Sequence, residues 1–246
     1  MHQALEEDKK NRPNEVSFAP AHAFVRLDYT QQEQYFKNKI LEVTAFLEQM
    51  LNLYRTSRDG VLSINQLKSK FLDNKDLIDE TFLFVYYLFH IKKLLSESKQ
   101  GLTQNIYGSI LMMQITFTFI LVIDNVIRKK YKNKDTRKQD LIHLIEYLSE
   151  ESNLNMDLNK LKEINNRANN DLQSVIMDLL NSKPIFKTSK LKEIEYDIGI
   201  VYALRNAAAH KIRDRPFIHQ NFNSIVDRLF NVFFLAVEKL YIGTMT

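Results

Sequence analysis

Apolar residues recur every three or four positions along most of the chain, and the strict alternation of a half-buried strand is nowhere sustained. The first such run covers residues 30–58, where Phe36, Ile40, Val43, Leu47, Met50 and Tyr54 share one face. Gly60, after Arg58 and Asp59, is expected to stop it, as glycine commonly does. The same period predicts helices over residues 62–72, 76–95, 105–132, 137–150, 157–180, 191–212 and 217–241. Pro216 is expected to end the helix over residues 191–212 and separate it from the last. Within the third, FLFVYYLF at residues 82–89 is too apolar to sit on a surface. The fourth is apolar all round, as the central helix of a large bundle would be. Residues 1–28 are polar and punctuated by Pro13 and Pro20, which predicts an irregular N-terminal arm. The expectation is an all-α fold: a bundle of about eight helices forming a single domain over residues 29–246.

Composition agrees. Only five Gly and four Pro stand among 246 residues, which suits long helices with short connections better than a sandwich of tight turns. There is no cysteine, so disulfides, zinc–thiolate sites, iron–sulfur clusters and thiol nucleophiles are excluded, and a cytoplasmic setting is expected. The start of the chain lacks the apolar core of a secretory signal. Residues 106–123 carry no charge and are about long enough to span a bilayer. Ser109, Gln114, Thr116 and Thr118 within that run, and Asp124 and Asn125 at its edge, favour a buried core helix and no membrane. A membrane-anchored reading of the same helix is the weakest of the alternatives.

Candidate chemistry gathers on the penultimate predicted helix. Its apolar stripe runs Leu191, Ile194, Ile198, Val201, and the next position is Arg205, before Ala208 and Ile212 resume it. A guanidinium in place of another leucine is costly to bury alone. It therefore faces an acid such as Asp124, a groove or a ligand. Five positions further stands His210. On an ideal helix that spacing puts the two side chains about 140° apart and about 7.5 Å along the axis, so they converge only across a bend or a second copy.

The segment Arg205-Asn206-Ala207-Ala208-Ala209-His210 resembles the signature of the HEPN superfamily of α-helical ribonucleases. That signature is an Arg, often followed by a polar residue, and a His after a short gap. Many members carry Tyr two positions beyond the His; this chain has Ile212, a departure from the toxin branch paired with nucleotidyltransferases. The resemblance implies a HEPN-like helical bundle and a homodimer with two motifs across a groove, with Arg205 and His210 as the catalytic pair. Residue chemistry fits: His moves protons near neutral pH, and Arg clamps a phosphate with fixed charge. Asn206 is placed to orient His210 or hold a phosphate oxygen. The RNA supplies its own 2′-hydroxyl nucleophile, so neither cofactor nor metal is expected. Antiviral defence, abortive infection, toxin–antitoxin and CRISPR-associated systems are the settings the resemblance implies.

The net charge of +4 permits nucleic-acid binding without requiring it. Two basic segments are candidate RNA contacts. Lys211, Arg213 and Arg215 follow the motif directly, and residues 128–138 hold seven basic residues and one acid. Within the second, Arg128, Lys129, Lys130 and Lys132 would track phosphates, with Tyr131 available for stacking. The plainer reading of both is a solvated helix end whose cations complement the dipole. His143 and Glu146, at i and i+3, have a metal-compatible spacing without a second such pair. His90, at the end of an apolar helix, reads as a core histidine. The rival to an enzyme is a HEPN-like module that holds RNA, a nucleotide or a protein without cutting. Regulation, if any, would come from a partner protein or the arm.

Overall fold

The computed structural model describes residues 28–72, 77–97, 106–131, 140–154, 156, 158–182, 192–208 and 215–243. Among these residues helices are the sole regular element, so the chain is all-α. By compactness it divides into residues 1–46 and 47–246. The predicted arm, residues 1–28, lies outside the described residues except for Asp28.

In the first unit, α1 (Tyr29–Arg58) starts at Asp28. The Asp28 carboxylate accepts from the Gln31 amide at 2.8 Å, and the Gln31 side chain accepts from the Asp28 amide at 3.2 Å. This reciprocal cap satisfies two amides that have no partner inside the helix. The helix continues into the second unit and ends at Arg58.

The expected glycine stop is corrected in detail. Asp59, not Gly60, takes the left-handed conformation, at φ 54°. Gly60 is needed for space instead, because a Cβ there would overlap the ring of buried Tyr54. The loop that follows is anchored by Glu238, which accepts from the amides of Val61 and Leu62 at 2.9 and 3.0 Å and from the Tyr54 hydroxyl at 3.3 Å.

The second unit continues with α2 (Ile64–Leu67), entered through a Ser63–Gln66 capping box and widening into a π turn at Lys68–Leu72. Next come α3 (Ile78–Glu97), α4 (Ile106–Lys130) and α5 (Leu141–Glu151). The single helix expected over residues 157–180 is two, α6 (Leu158–Asn170) and α7 (Leu172–Leu180). Asp171 interrupts the run because its carboxylate caps the Ser174 amide at 3.1 Å. Then follow α8 (Glu193–Ala208), α9 (Arg215–Gln220) and α10 (Phe222–Val237), which ends in a π turn at Glu238–Ile242. The last predicted helix is thus also divided, at Asn221. Pro216 sits in the first turn of α9, where a missing N–H costs nothing.

The centre of the second unit differs from expectation. Residues 195–204 of α8 are buried on every side, packed by α4, α5, α6, α7 and α10. Residues 229–238, running from α10 into its π turn, are equally enclosed. The apolar helix α4, expected at the centre, keeps Leu111 and Leu121 exposed. Its stretch Gly108–Lys130 is long and apolar enough to cross a membrane, and 56% of an apolar 18-residue segment of it is buried inside the fold.

Phe84 of α3 stacks on Phe233 of α10 at 4.2 Å, and Phe71 meets both rings edge-on. Phe119 of α4 closes the group against Phe230 at 4.8 Å. These rings pack α3 and α4 against α10, each burying a large apolar area. The run at residues 82–89 contributes Phe84, Tyr87 and Leu88 to this core, but Leu83 and Tyr86 face outward. In the other direction, Gly199 lets α8 approach α6 and α7, since a Cβ there would press on Leu179 and Ile164.

Candidate functional site

Helix α8 carries the residues singled out by the motif. Glu193 and Glu195 occupy its first turn, complementing the helix dipole, and Glu195 also accepts from the Lys192 amide at 2.5 Å. After the enclosed stretch to Leu204, Arg205 is the first side chain to reach partway into solvent. Its Nε is buried without a hydrogen-bond partner, and among the described residues no acid forms an ion pair with it. Asp124, the acid considered as its partner, is bound instead by Arg128 at 3.1 Å, one turn further along α4. Asn206 lies on α8, but its side chain falls outside the described residues, as do His210, Lys211, Arg213 and the side chain of Arg215. The convergence of Arg205 and His210 therefore falls outside them too.

The basic end of α4 is engaged inside the fold. Besides the Arg128–Asp124 pair, Lys129 approaches buried Glu80 at 3.8 Å, and Lys130 lies 4.5 Å over the ring of Tyr241. Tyr131 packs edge-on against Tyr147 at 5.5 Å. Lys132 is outside the described residues. These contacts suit the role of cations closing a helix C-terminus, although Arg128 and Lys129 keep 36% and 48% of their side chains in solvent. His143 and Glu146 pair at 3.5 Å, both partly exposed, and His90 is half-buried beside the Tyr86 ring.

A second constellation was not picked out from the sequence. Asp197, wholly buried on α8, accepts four hydrogen bonds. Arg58 gives two, from Nε at 2.6 Å and from a terminal nitrogen at 3.1 Å. Arg228 gives one at 3.1 Å, and Asn231 one at 2.8 Å. A carboxylate has about four acceptor positions, so Asp197 is saturated. Burial pushes its carboxyl up to about 6, against the pull of Arg58 and Asn231, which leaves it ionised at neutral pH. Arg228 also donates to the Leu180 carbonyl at 3.0 Å, closing the end of α7.

Arg58, Arg228 and Asn231 form part of the wall of a cleft of about 450 Å³ reached between the ends of α1 and α7 and the start of α10. Asp227 stands on the same wall, and desolvation pushes its carboxyl up to about 6 even though the residue stays solvent-accessible. The signal that could have found this site was available: Asp197 in IEYDIGIV and Asn231 in LFNVFFLAV are polar residues inside apolar runs, as Arg205 is.

No protein-family model, curated protein or solved structure matches the chain.

Proposed function

We propose that this chain is a metal-independent endoribonuclease of the HEPN type, with Arg205 and His210 as its catalytic pair and Asn206 orienting them. The observation that carries the reading is the guanidinium of Arg205, which emerges from the enclosed stretch of α8 with a buried Nε left unpartnered. An unpaired buried donor is costly, and it is kept where a ligand supplies the missing acceptor. A phosphodiester oxygen is such an acceptor, and it matches the forked donors of arginine.

In the proposed reaction the RNA 2′-oxygen bonds to the adjacent phosphorus while the bond from phosphorus to the 5′-oxygen breaks. The His210 imidazole takes the 2′-hydroxyl proton, and an imidazolium returns one to the departing 5′-oxygen. Arg205 holds the charge that builds on the non-bridging oxygens. Two copies of the chain facing across a groove would supply the two imidazoles. The flanking cations Lys211, Arg213 and Arg215 would add affinity without sequence choice.

The test is purified protein with end-labelled RNA in excess EDTA, beside Arg205→Ala and His210→Ala. Cleavage that leaves 2′,3′-cyclic phosphate ends and is lost in both variants supports the proposal. Retained cleavage in either variant refutes it. RNA binding without cleavage, abolished by charge reversal at Arg128 and Lys129, would instead support a binding module.

A further inference from the structure

Helix α4 turns an uncharged stripe to solvent. Leu111, Gln114, Thr118 and Leu121 recur at steps of three, four and three, and none of them is buried. Leu111 and Leu121 are 37% and 43% exposed. The outer side of a surface helix ordinarily carries charged residues, yet residues 106–123 contain none. An exposed stripe with this spacing has the form of a coiled-coil seam.

Helix α3 runs antiparallel beside α4, since Glu80 meets Lys129 while Phe84 meets Phe119. Moving one turn at a time from the first of these contacts brings Leu83 level with Asn125 and Tyr86 level with Leu121. Both α3 side chains are exposed, so they widen the stripe at the end nearer Leu121. From Ile110 to Asn125 the stripe is about 23 Å long, and two helices side by side are about 20 Å wide. Two such faces brought together cover about 1,000 Å² in total, about the size at which specific interfaces begin.

The stripe reads the same in both directions: leucine, polar, polar, leucine, at spacings of three, four and three. A helix that pairs antiparallel with its own copy needs this symmetry, because a two-fold axis sets the same surface against itself. With the axis level with Thr116, Leu111 lies against the partner's Leu121 and Gln114 against the partner's Thr118. Apolar meets apolar and amide meets hydroxyl, each twice. The Thr118 hydroxyl donates to the Gln114 carbonyl of its own helix at 2.8 Å, which leaves its oxygen to accept from the partner's Gln114 amide. Between Leu111 and Leu121 no like charges are brought together.

We propose that the outward stripe of α4, flanked by α3, joins two copies of this chain through an antiparallel α4–α4 pair. The contact stands apart from the nuclease reading, because no residue of the motif takes part and its assay needs no RNA.

Sedimentation equilibrium of the full chain without RNA should give a dimer at about 100 µM. Leu121→Glu should raise the dissociation constant roughly a hundredfold, since symmetry buries the new charge twice, and circular dichroism establishes that the variant folds. Register is read by cross-linking, because the chain has no cysteine of its own. Leu111→Cys mixed with Leu121→Cys should form a disulfide-linked dimer under mild oxidation. Neither variant should do so alone, since like positions lie about 15 Å apart along the axis. A chain that is monomeric at about 100 µM would overturn the inference, and flotation of that monomer with phosphatidylcholine vesicles would assign the face to lipid instead. A dimer that survives Leu121→Glu unchanged, or cross-linking of either cysteine variant alone as readily as the mixture, would overturn it too.

Discussion

Removing the carboxylate of Asp197 should strongly destabilise the second unit. Its side chain is fully buried, Arg58 beside it is 5% exposed and Arg228 20%. In Asp197→Ala, Arg58 keeps, among the described residues, its bond to the Ser57 carbonyl, and its guanidinium stays enclosed with no counter-charge among them. Breaking a buried pair by deleting one partner typically costs about 3–5 kcal/mol. Arg228 is placed to relax outward, and it retains the Leu180 carbonyl, so most of the loss is assigned to Arg58 and Asn231. Against a total stability of about 5–15 kcal/mol, this brings the fold close to its limit. With a urea dependence of about 2–3 kcal/mol per molar, the unfolding midpoint should fall by about 1–2.5 M. A second variant isolates the cause. Arg58→Met in an Asp197→Leu background replaces the pair with apolar side chains of similar size and should recover at least half of the loss. A midpoint shift below about 0.3 M for Asp197→Ala at unchanged slope, or a double variant no better than the single, would refute the assignment of the loss to an unpaired buried charge.

Two further outcomes follow from particular contacts. Gly60→Ala should destabilise by about 1–3 kcal/mol, since the new methyl overlaps a Tyr54 ring that Glu238 and Phe234 hold in place; a neutral thermal midpoint would mean the loop at residues 59–63 yields freely. Asp227 titrates at about 6 in the fold and near 3.8 when unfolded, so between those values the folded chain holds a proton that the unfolded chain releases. Its contribution to stability therefore falls as pH rises through that window, and the stability of the wild type minus that of Asp227→Asn should decline from about pH 4 to pH 6 in urea titrations. A difference that is flat or rises would contradict the desolvation of this carboxyl.

Helices were legible because burial follows the 3.6-residue period, and their interruptions were less so. Leu161, Ile164, Ala168, Leu172 and Val175 keep one face through Asp171, so periodicity alone reads a single helix where side-chain capping makes two. The cap was visible as Asp171 and Ser174 three positions apart, but such a pair competes with a continuous apolar stripe. Gly60 was recognised as special for the wrong reason, because backbone freedom is a local property and the closeness of Tyr54 is not. The Asp197 network shows the same limit at longer range. An acid inside an apolar run signals a partner, but Arg58 is 139 residues away in the chain and Asn231 is 34. Which cation closes on which acid is decided by how α1, α8 and α10 pack. Arg205 stood out because it replaced a leucine on the counted stripe, whereas Asp197 lies one position to its side.

The treatment of charge along α8 gives the nuclease reading its sharpest stability test. Asp197 and Arg205 lie eight positions apart on one helix, and both have atoms taken out of water. The fold surrounds the Asp197 carboxylate with four donors and leaves the Nε–H of Arg205 without an acceptor. Of the acids near the end of α4, Asp124 is bound by Arg128, while Glu80 meets Lys129 at 3.8 Å and keeps a buried Oε2 without a hydrogen-bond partner. A structural arginine would resemble Arg58, paired with a buried acid and costly to replace. A guanidinium reserved for a phosphate would be dispensable for stability and indispensable for turnover, the usual signature of a residue held at some cost for function. Arg205→Leu should therefore leave the urea midpoint unchanged or raise it, within about 1 kcal/mol, while abolishing RNA cleavage. A loss near the 3–5 kcal/mol expected at Asp197 would show that Arg205 is paired in the folded chain and would remove the observation on which the proposed activity rests.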